Sequence, residues 1–507
     1  MVRKLLICAL ALGGFAASAQ AADLSLSNLK DPLPEKISFA GVTIYGTIDV
    51  GYGYMTNGAP ISGAFYEGLD YNMYGAKQNR QSTSVVTNNA LSQSQIGVKV
   101  EESVGMGFVA LGKLDTGFNP ISGEIADACA SLVRNNGKDV STWTSSADGS
   151  RCGQALNGQA YAGLSNASYG TLTVGRQNSL DLDVVGSYDP MAASYALSLT
   201  GFSGGSGGGI GSTETARWDN AVKYVYQFGP VHAGGMYSAG GADTSIQADA
   251  YAANLGASYK GFSIDAVYTK ENAAVGMATL GYSNSLTPAA GTCNPNAVVG
   301  GTVAAGTAGN FCPNALNATI TDNEAWTVAG KYVLELGGGF KDEGPSSKVT
   351  FFAGYQHTDL NNPDHWVATG TATIGGYQMW TVNNQPFGIG STKTLQTEWA
   401  GAKYETGPWA FTGAYYHLSQ NNYVARSLTG SLTSPTAANC TTTSTNLQKG
   451  NCSGDTNVVS GLVDYTFNKH FDVYTGVSWS NVTDGLASGF VDGTENTTVV
   501  TGLRLKF

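Results

Sequence analysis

The sequence predicts an all-β protein in which sixteen antiparallel strands close into a membrane-spanning barrel. Three observations predict this fold. Sixteen segments alternate apolar residues with small or polar ones, tight turns alternate with long polar loops, and the composition favours strands over helices. The chain of 507 residues contains 68 Gly and 12% charged residues, and Gly is unfavourable inside helices. This low charge, together with 26 Tyr and 18 Phe, argues against a disordered chain, which needs the opposite balance.

The alternation is clearest at the two ends of the barrel region. From Thr497 to Phe507, apolar residues occupy one strand face, and small or charged residues occupy the other. The stretch from Ile44 to Tyr54 has the same period of two. The sixteen segments are 44–54, 94–102, 108–116, 158–165, 170–176, 217–228, 231–238, 250–259, 262–269, 324–335, 348–357, 395–405, 409–417, 458–467, 471–479 and 497–507.

The connections between segments fall into two length classes. Tight turns at 103–107, 229–230, 260–261, 406–408 and 468–470 alternate with long polar loops. This arrangement is typical of an up-and-down transmembrane barrel, whereas a soluble sandwich gives no reason to segregate loop lengths by end. The long loops are 56–93, 119–157, 177–216, 239–249, 270–323, 358–394, 418–457 and 480–496.

The strand face opposite the apolar one carries charged residues. A dry sandwich core would not tolerate them, but a water-filled interior solvates them, and barrels of sixteen to eighteen strands leave an aqueous channel. The charges are Lys99, Lys113, Asp115, Lys223, Asp265, Lys331, Asp464 and Arg504.

The N-terminus predicts export. Arg3 and Lys4 precede an apolar stretch, and Ala19-Gln20-Ala21 forms a small-residue cleavage site, so residues 1–21 read as a secretory signal peptide. We expect 22–41 to be an N-terminal periplasmic extension and 42–507 to be the barrel.

Six cysteines remain after the signal peptide, in three local pairs within polar loops. Six cysteines allow fifteen pairings, and the local pairing is favoured because each pair then closes its own loop in an oxidising compartment. A metal site is the alternative, but the spacings are not C-x₂-C and no His lies nearby. We therefore predict no metal, no cofactor and the disulfides Cys129–Cys152, Cys293–Cys312 and Cys440–Cys452.

Several segments, in order and spacing, resemble general Gram-negative porins. The resemblance implies a sixteen-stranded outer-membrane barrel, usually a homotrimer, that passes small hydrophilic solutes and ions by diffusion. It also implies that the third long loop, 177–216, folds inward and narrows the pore. The matching segments are Ser94–Glu102, Gly107–Phe118, Gln159–Ser165, Gly170–Gln177, Arg217–Tyr224 and Gly502–Phe507.

The resemblance also implies an Arg ladder on the barrel wall. Arg176 and Arg217 match two of its rungs, whereas Gln95 stands where the family has a third Arg. Strict alternation would turn Arg176 outward, so its place in the pore requires a bend at Gly175. Arg217 is expected to share a face with Asp219 and Lys223, because it precedes them at even spacing.

Acidic residues of the third loop face the ladder in the family. The usual Pro-Glu-Phe motif is missing here, and Asp181, Asp183 and Asp189 are the expected substitutes. By alternation, Lys99, Lys113 and Asp115 are further pore-lining candidates. Fixed charges of both signs at a constriction tune the passage of ions.

The C-terminal Phe507 resembles the recognition signal of the barrel-assembly machinery, and it could equally be an aromatic residue of the lipid interface. The expected partners are therefore that machinery, outer-membrane lipid, two further copies of the chain, and small solutes. A formal charge of −11 argues against nucleic acid as a partner.

Two other functions remain open at this point. The long stapled loops would suit a surface-interaction or adhesive barrel. An outer-membrane lipase or protease is also conceivable, since a catalytic triad is spatial. No motif indicates such a triad, and the sequence predicts a channel rather than an enzyme.

Overall fold

A computed structural model gives the structure of the chain. It describes residues 37–57, 82–135, 151–202, 216–240, 248–278, 298–299, 302–303, 315–337, 347–364, 370–383, 385–426, 432–441, 451–487 and 494–507. The predicted signal peptide, Cys293 and Cys312 lie outside these residues.

Sixteen long strands form the wall of the molecule, which confirms the predicted barrel. Each corresponds to one of the sixteen alternating segments of the sequence. They are β1 (Val42–Met55), β2 (Gln95–Gly105), β3 (Phe108–Gly117), β4 (Ala160–Asn166), β5 (Gly170–Asn178), β6 (Arg217–Phe228), β7 (Val231–Ser238), β8 (Ala250–Tyr259), β9 (Phe262–Ala278), β10 (Ala315–Glu335), β11 (Ser347–Asn361), β12 (Lys393–Thr406), β13 (Trp409–Gln420), β14 (Gly454–Asn468), β15 (Phe471–Val482) and β16 (Glu495–Lys506).

The sheet closes on itself. Each strand pairs antiparallel with the next, and β16 pairs with β1 from Thr47↔Lys506 to Met55↔Thr498. On its other side, the first part of β1 (Val42–Thr47) pairs with β2, and the last part (Val50–Met55) pairs with a further strand, Thr83–Asn88. A closed sheet leaves no backbone edge exposed to hydrocarbon, which a membrane-spanning sheet requires.

Side chains alternate between the two faces of this wall. Along β13, Thr412, Ala414 and Tyr416 point inward and are buried, while Phe411 and Tyr415 are exposed on the outside. The outer face is therefore apolar and the inner face polar, as the period of two predicts.

The remaining elements lie in the loops and at the N-terminus. None of the helices among the described residues is long and apolar enough to span a membrane. The helices are α1 (Ala128–Asn135), α2 (Leu180–Tyr188), α3 (Leu199–Phe202) and a 3-10 turn (Asp484–Ala487); the short strands are Ile37–Phe39, Thr83–Asn88, Val298–Val299, Thr302–Val303, Gly370–Ile374, Tyr377–Asn383, Ala425–Arg426 and Leu432–Thr433.

The N-terminal part of the chain is described from Ile37 onward. The strand Ile37–Phe39 folds back on the beginning of β1 and pairs with Val42–Ile44. Ala40 and Gly41 make the turn, both with positive φ, as a two-residue hairpin requires. The periplasmic extension at 22–41 stays a prediction.

Candidate pore and its lining

The third long loop begins with a helix that lies against the inside of the barrel. The hydroxyl of Ser179 caps α2 by accepting a hydrogen bond from the Leu182 amide at 3.1 Å, the usual role of Ser at this position. Leu180, Val184 and Tyr188 are spaced four residues apart, so they share one face of the helix, and all three are buried. This face packs in the apolar cluster that also contains inward-facing residues of the wall.

Polar side chains of the wall fix the end of α2. The Tyr188 hydroxyl donates to Asp265 of β9 at 2.5 Å, and the indole of Trp399 on β12 donates to the Tyr188 carbonyl at 3.0 Å. Asp189, just after the helix, accepts from the Tyr416 hydroxyl of β13 at 2.5 Å. Burial raises the pKa of Asp189 above its usual range, and the Tyr416 hydrogen bond opposes that rise.

The loop then continues along the inner face to the far strands. Ser460 of β14 donates to the Leu197 carbonyl at 2.6 Å, and a Cβ on Gly476 of β15 would overlap the Leu197 side chain. The Ala196 amide donates to the Ala90 carbonyl at 3.0 Å. These contacts hold residues 180–199 against the wall from β9 to β15.

A cavity of about 380 Å³ lies between α2 and the strands β3 to β6. Its lining is polar and combines two lysines, one carboxylate, hydroxyls and amides. The lining residues are Lys113, Gln159, Tyr161, Thr171, Thr173, Gln177, Asn178, Asp183, Lys223 and Val225.

The lysines of this wall each meet a carboxylate. The distances are 2.6 Å for Lys99–Glu101, 3.4 Å for Lys113–Asp115 and 2.5 Å for Lys223–Asp183. Asp115 also accepts from the Tyr45 hydroxyl at 2.8 Å and from the Gln159 amide at 2.7 Å. The structure therefore brings together Lys99, Lys113, Asp115 and Asp183, with Lys223, on one side of the barrel.

The three predicted acidic residues of the loop differ in their surroundings. Asp183 is 46% exposed and reaches Lys223. Asp181 and Asp189 are buried. Asp181 faces the wall and accepts a hydrogen bond from Gln356 at 3.1 Å, and Asp189 accepts one from Tyr416. Strand alternation cannot distinguish them, since Asp181 and Asp183 lie in α2 and Asp189 directly follows it, and the barrel wall determines which side of the helix is buried.

Arg176 lies in the wall with fixed partners. Its side chain is 7% exposed and contacts Asp219 at 2.7 Å, while its Nε donates to the Gly158 carbonyl at 3.0 Å. Gly175 before it has φ +131°, a conformation that glycine adopts readily. The neighbouring Gln177, and not Arg176, contributes to the cavity lining.

The prediction that Arg217 shares a strand face with Lys223 is wrong. Gly175 pairs with Ala221, and Gln177 pairs with Trp218, so Asp219 and Asn220 both oppose Arg176 alone. This extra residue is a β-bulge, which shifts the alternation by one position. Trp218 is consequently buried in the apolar cluster with α2, and Arg217 no longer shares a face with Lys223.

The two remaining predicted residues lie near the barrel seam. Gln95 begins β2, where it is half-buried and pairs with Thr47. Phe507 exchanges backbone hydrogen bonds with Gly46 at 2.9 and 3.1 Å, and its ring covers Gly46, where any Cβ would overlap it. Its role as an assembly signal stays a prediction.

A charge cluster at the seam was not predicted as a unit. Arg504 of β16 bonds Asp472 through Nε at 2.7 Å and Asp464 through Nη2 at 2.6 Å. The next inward residue of β15, Tyr474, donates to Asp49 of β1 at 2.6 Å. The alternation of strand residues predicts that each of these side chains faces inward. It does not predict that they meet, because β1 joins β14, β15 and β16 only when the barrel closes.

Two of the predicted disulfides lie within the described residues. Cys129 is bonded to Cys152, and Cys440 is bonded to Cys452. Asp127 is close to the first pair, but sulfurs joined in a disulfide are not thiolate ligands for a metal.

Comparisons with known proteins agree with this architecture. An outer membrane porin protein of Bordetella pertussis is 27% identical over 253 residues, which is 50% of this chain. The match spans about half (51%) of that relative's length. The anion-selective porin from Comamonas acidovorans has the same fold, with a TM-score of 0.52 and 13% identity over 92% of this chain and 99% of that one. A loop-deletion mutant of OmpT from Vibrio cholerae gives a TM-score of 0.49 and 14% identity over 92% and 99%.

The sequence itself settles the family. The model of the Gram-negative porin family matches residues 8–338, which is more than half of the chain, and the barrel described above has the strand number expected of it. This protein belongs to the Gram-negative porin family of the outer membrane.

Proposed function

We propose that the protein is a channel for passive diffusion of ions and small hydrophilic solutes across the outer membrane. The observation that carries the proposal is the division of the interior. Residues 180–199 cover the inner wall from β9 to β15, while Lys113 and Lys223 on the opposite side line an open polar cavity, and Lys99 pairs with Lys113 across β2 and β3. Charged side chains around water are what a pore needs, and diffusion requires no covalent step or cofactor.

The narrowest passage is proposed to lie between α2 and the wall of β2 to β6. Asp183 on the helix and Lys113 on the wall both border the cavity, so ions would pass between carboxylates and ammonium groups. Such rings of fixed charge set which ions pass. Arg176 and Arg217 have at most an indirect part in this proposal, because the first is buried and the second lies beyond the bulge.

Planar-bilayer recording of the purified protein is expected to show stepwise conductance increases of uniform size. The physical reason is that each inserted barrel adds one water-filled path of fixed geometry. A heat-denatured sample is the control. A folded barrel that inserts but gives no steps would contradict the channel and favour a sealed, adhesive barrel.

We also propose that the channel is a homotrimer. Transmembrane barrels carry aromatic girdles where they face lipid. Among the described residues, the exposed large apolar side chains of β2 to β5 are all aliphatic, whereas the strands β6 to β15 expose many aromatic ones. The aliphatic set is Ile96, Val100, Val104, Leu114, Leu164, Leu172 and Val174. This arc is therefore the surface that a second copy would cover.

Leu164→Lys is expected to convert trimers to monomers, because it places a charge in the middle of the proposed interface. Leu255→Lys on β8 is the matched control, since both leucines are exposed on the outer face, 47% and 59% respectively. Native mass spectrometry in detergent reads the subunit number. Equal behaviour of both variants, or a monomeric parent, would contradict the proposed interface.

A further inference from the structure

A hairpin in the loop between β11 and β12 contacts a loop that is rooted on the opposite side of the barrel. It consists of residues 370–383, which we call the strap. Its two strands pair from Gly370↔Thr381 to Ile374↔Tyr377. Gly375 and Gly376 form the turn with φ +54° and +89°, the conformation of a type I′ hairpin.

The tip of the strap docks on the loop between β3 and β4. The Tyr377 hydroxyl donates to Oδ2 of Asp127 at 2.9 Å. Oδ1 of the same carboxylate caps α1 by accepting from the Ala130 amide at 2.9 Å. A Cβ on Gly375 would overlap the carbonyl of Cys152, so the hairpin turn lies directly on the backbone of the Cys129–Cys152 disulfide.

The two loops are rooted on opposite sides of the barrel. β3 and β11 are eight strands apart in a ring of sixteen, which is half the circumference. Strands spaced by about 4.8 Å and tilted by about 40° give a barrel roughly 30 Å wide. Because the Tyr377–Asp127 bond joins loops with opposite roots, the two loops together bridge the mouth on the side of the long loops, which is extracellular.

The strap is also supported along its length. Its second strand pairs in parallel with the upper end of β10, from Ala315↔Gln378 to Thr319↔Asn383. The tip of the strap therefore lies at the upper end of β10, one strand from its own root, and α1 of the loop between β3 and β4 also contacts β10. This loop, which we call the stapled loop because it contains the Cys129–Cys152 disulfide, spans the mouth, and the tip of the strap anchors its far end.

We propose that the stapled loop, docked on the tip of the strap, is a fixed bar across the extracellular mouth, which divides the entrance and slows the passage of bulky solutes into the pore. The proposal rests on the proposed channel. The bar lies at the mouth, whereas α2 lies against the wall inside the barrel. Solutes therefore pass two filters in series, first the mouth and then the constriction. Small ions pass either side of the bar, while solutes of larger cross-section are excluded in part.

The test compares how fast reagents of two sizes reach a cysteine inside the barrel. Gly186 of α2 is exposed, and a Cβ there meets no other atom, so Gly186→Cys supplies the target. Intact cells are treated from outside with a small charged methanethiosulfonate or with a bulky polyethylene glycol maleimide. The ratio of the bulky to the small labelling rate measures the filter at the mouth.

Gly375→Asn is expected to raise this ratio, because Asn tolerates a positive φ but its Cβ collides with Cys152 and undocks the tip. Gly376→Asn is the matched control, since its φ is also positive and a Cβ there meets nothing. Tyr377→Phe, which keeps the fold of the hairpin, removes one hydrogen bond worth about 1 kcal/mol and is expected to raise the undocked fraction about fivefold.

The outcomes separate the two proposals. An unchanged ratio in both Gly375→Asn and Tyr377→Phe, or an equal rise in Gly376→Asn, would overturn the stapled loop as a filter. Failure of the small reagent to label Gly186→Cys in the otherwise unchanged protein would instead overturn the open channel.

Discussion

Replacing Arg504 by alanine is expected to lower the free energy of unfolding of the barrel by about 3 kcal/mol. The guanidinium holds Asp472, which is 2% exposed, and also Asp464. Without it, two neighbouring carboxylates on the inner wall lose their shared cation. The loss falls at the seam, where β16 must meet β1 to close the ring. Urea unfolding in detergent micelles, followed by tryptophan fluorescence, measures it.

Lys506→Ala is the matched control for this prediction. Lys506 also contacts Asp472, at 2.6 Å, but its side chain is 43% exposed, so its removal should cost less than about 1 kcal/mol. The double variant Arg504→Ala with Asp472→Asn is expected to recover part of the lost stability, because one buried charge is removed with its partner. Equal losses for Arg504→Ala and Lys506→Ala would show that the seam does not depend on the buried pair.

The barrel was predictable from sequence because its determinants are local. A strand with lipid on one side and water on the other must alternate apolar and polar residues. A tight turn such as Lys260-Gly261 has positive φ angles, and the glycine in the sequence indicates it. Each of the sixteen segments therefore corresponds to a strand, although β9 and β10 each extend nine residues into the predicted loop 270–323. The same local rule gave the inward placement of Lys113 and Lys223, whose strands are regular at those positions.

The interior was less predictable because its contacts join residues distant in sequence. The buried side of α2 is defined by Gln356 and Trp399, which lie more than a hundred positions later. The bulge at Asn220 breaks the alternation that predicted the face of Arg217, and its only local sign is an Asn, a residue that tolerates positive φ. The family resemblance implies an Arg in the pore beside the third loop, but the partner Asp219 holds Arg176 in the wall.

Replacing Lys113 and Lys223 together by glutamine is expected to shift the ion preference of the channel toward cations. Both lysines border the cavity, and their removal leaves Asp115 and Asp183 without their ammonium partners. An ion that passes within about 4 Å of a unit charge in water gains or loses about 1 kcal/mol. After screening by salt, we expect the cation-to-anion permeability ratio to rise by at least about fivefold.

The reversal potential in a salt gradient measures that ratio, and Arg176→Gln is the matched control. It removes one positive charge, from a cation that is buried between Gly158 and Asp219. We expect it to lower stability while leaving the reversal potential unchanged, because its field reaches the pore only through the wall. If Arg176→Gln shifts the potential as much as the double lysine variant, then the ions pass on the arginine side of the wall, and the cavity beside α2 is not the conducting path.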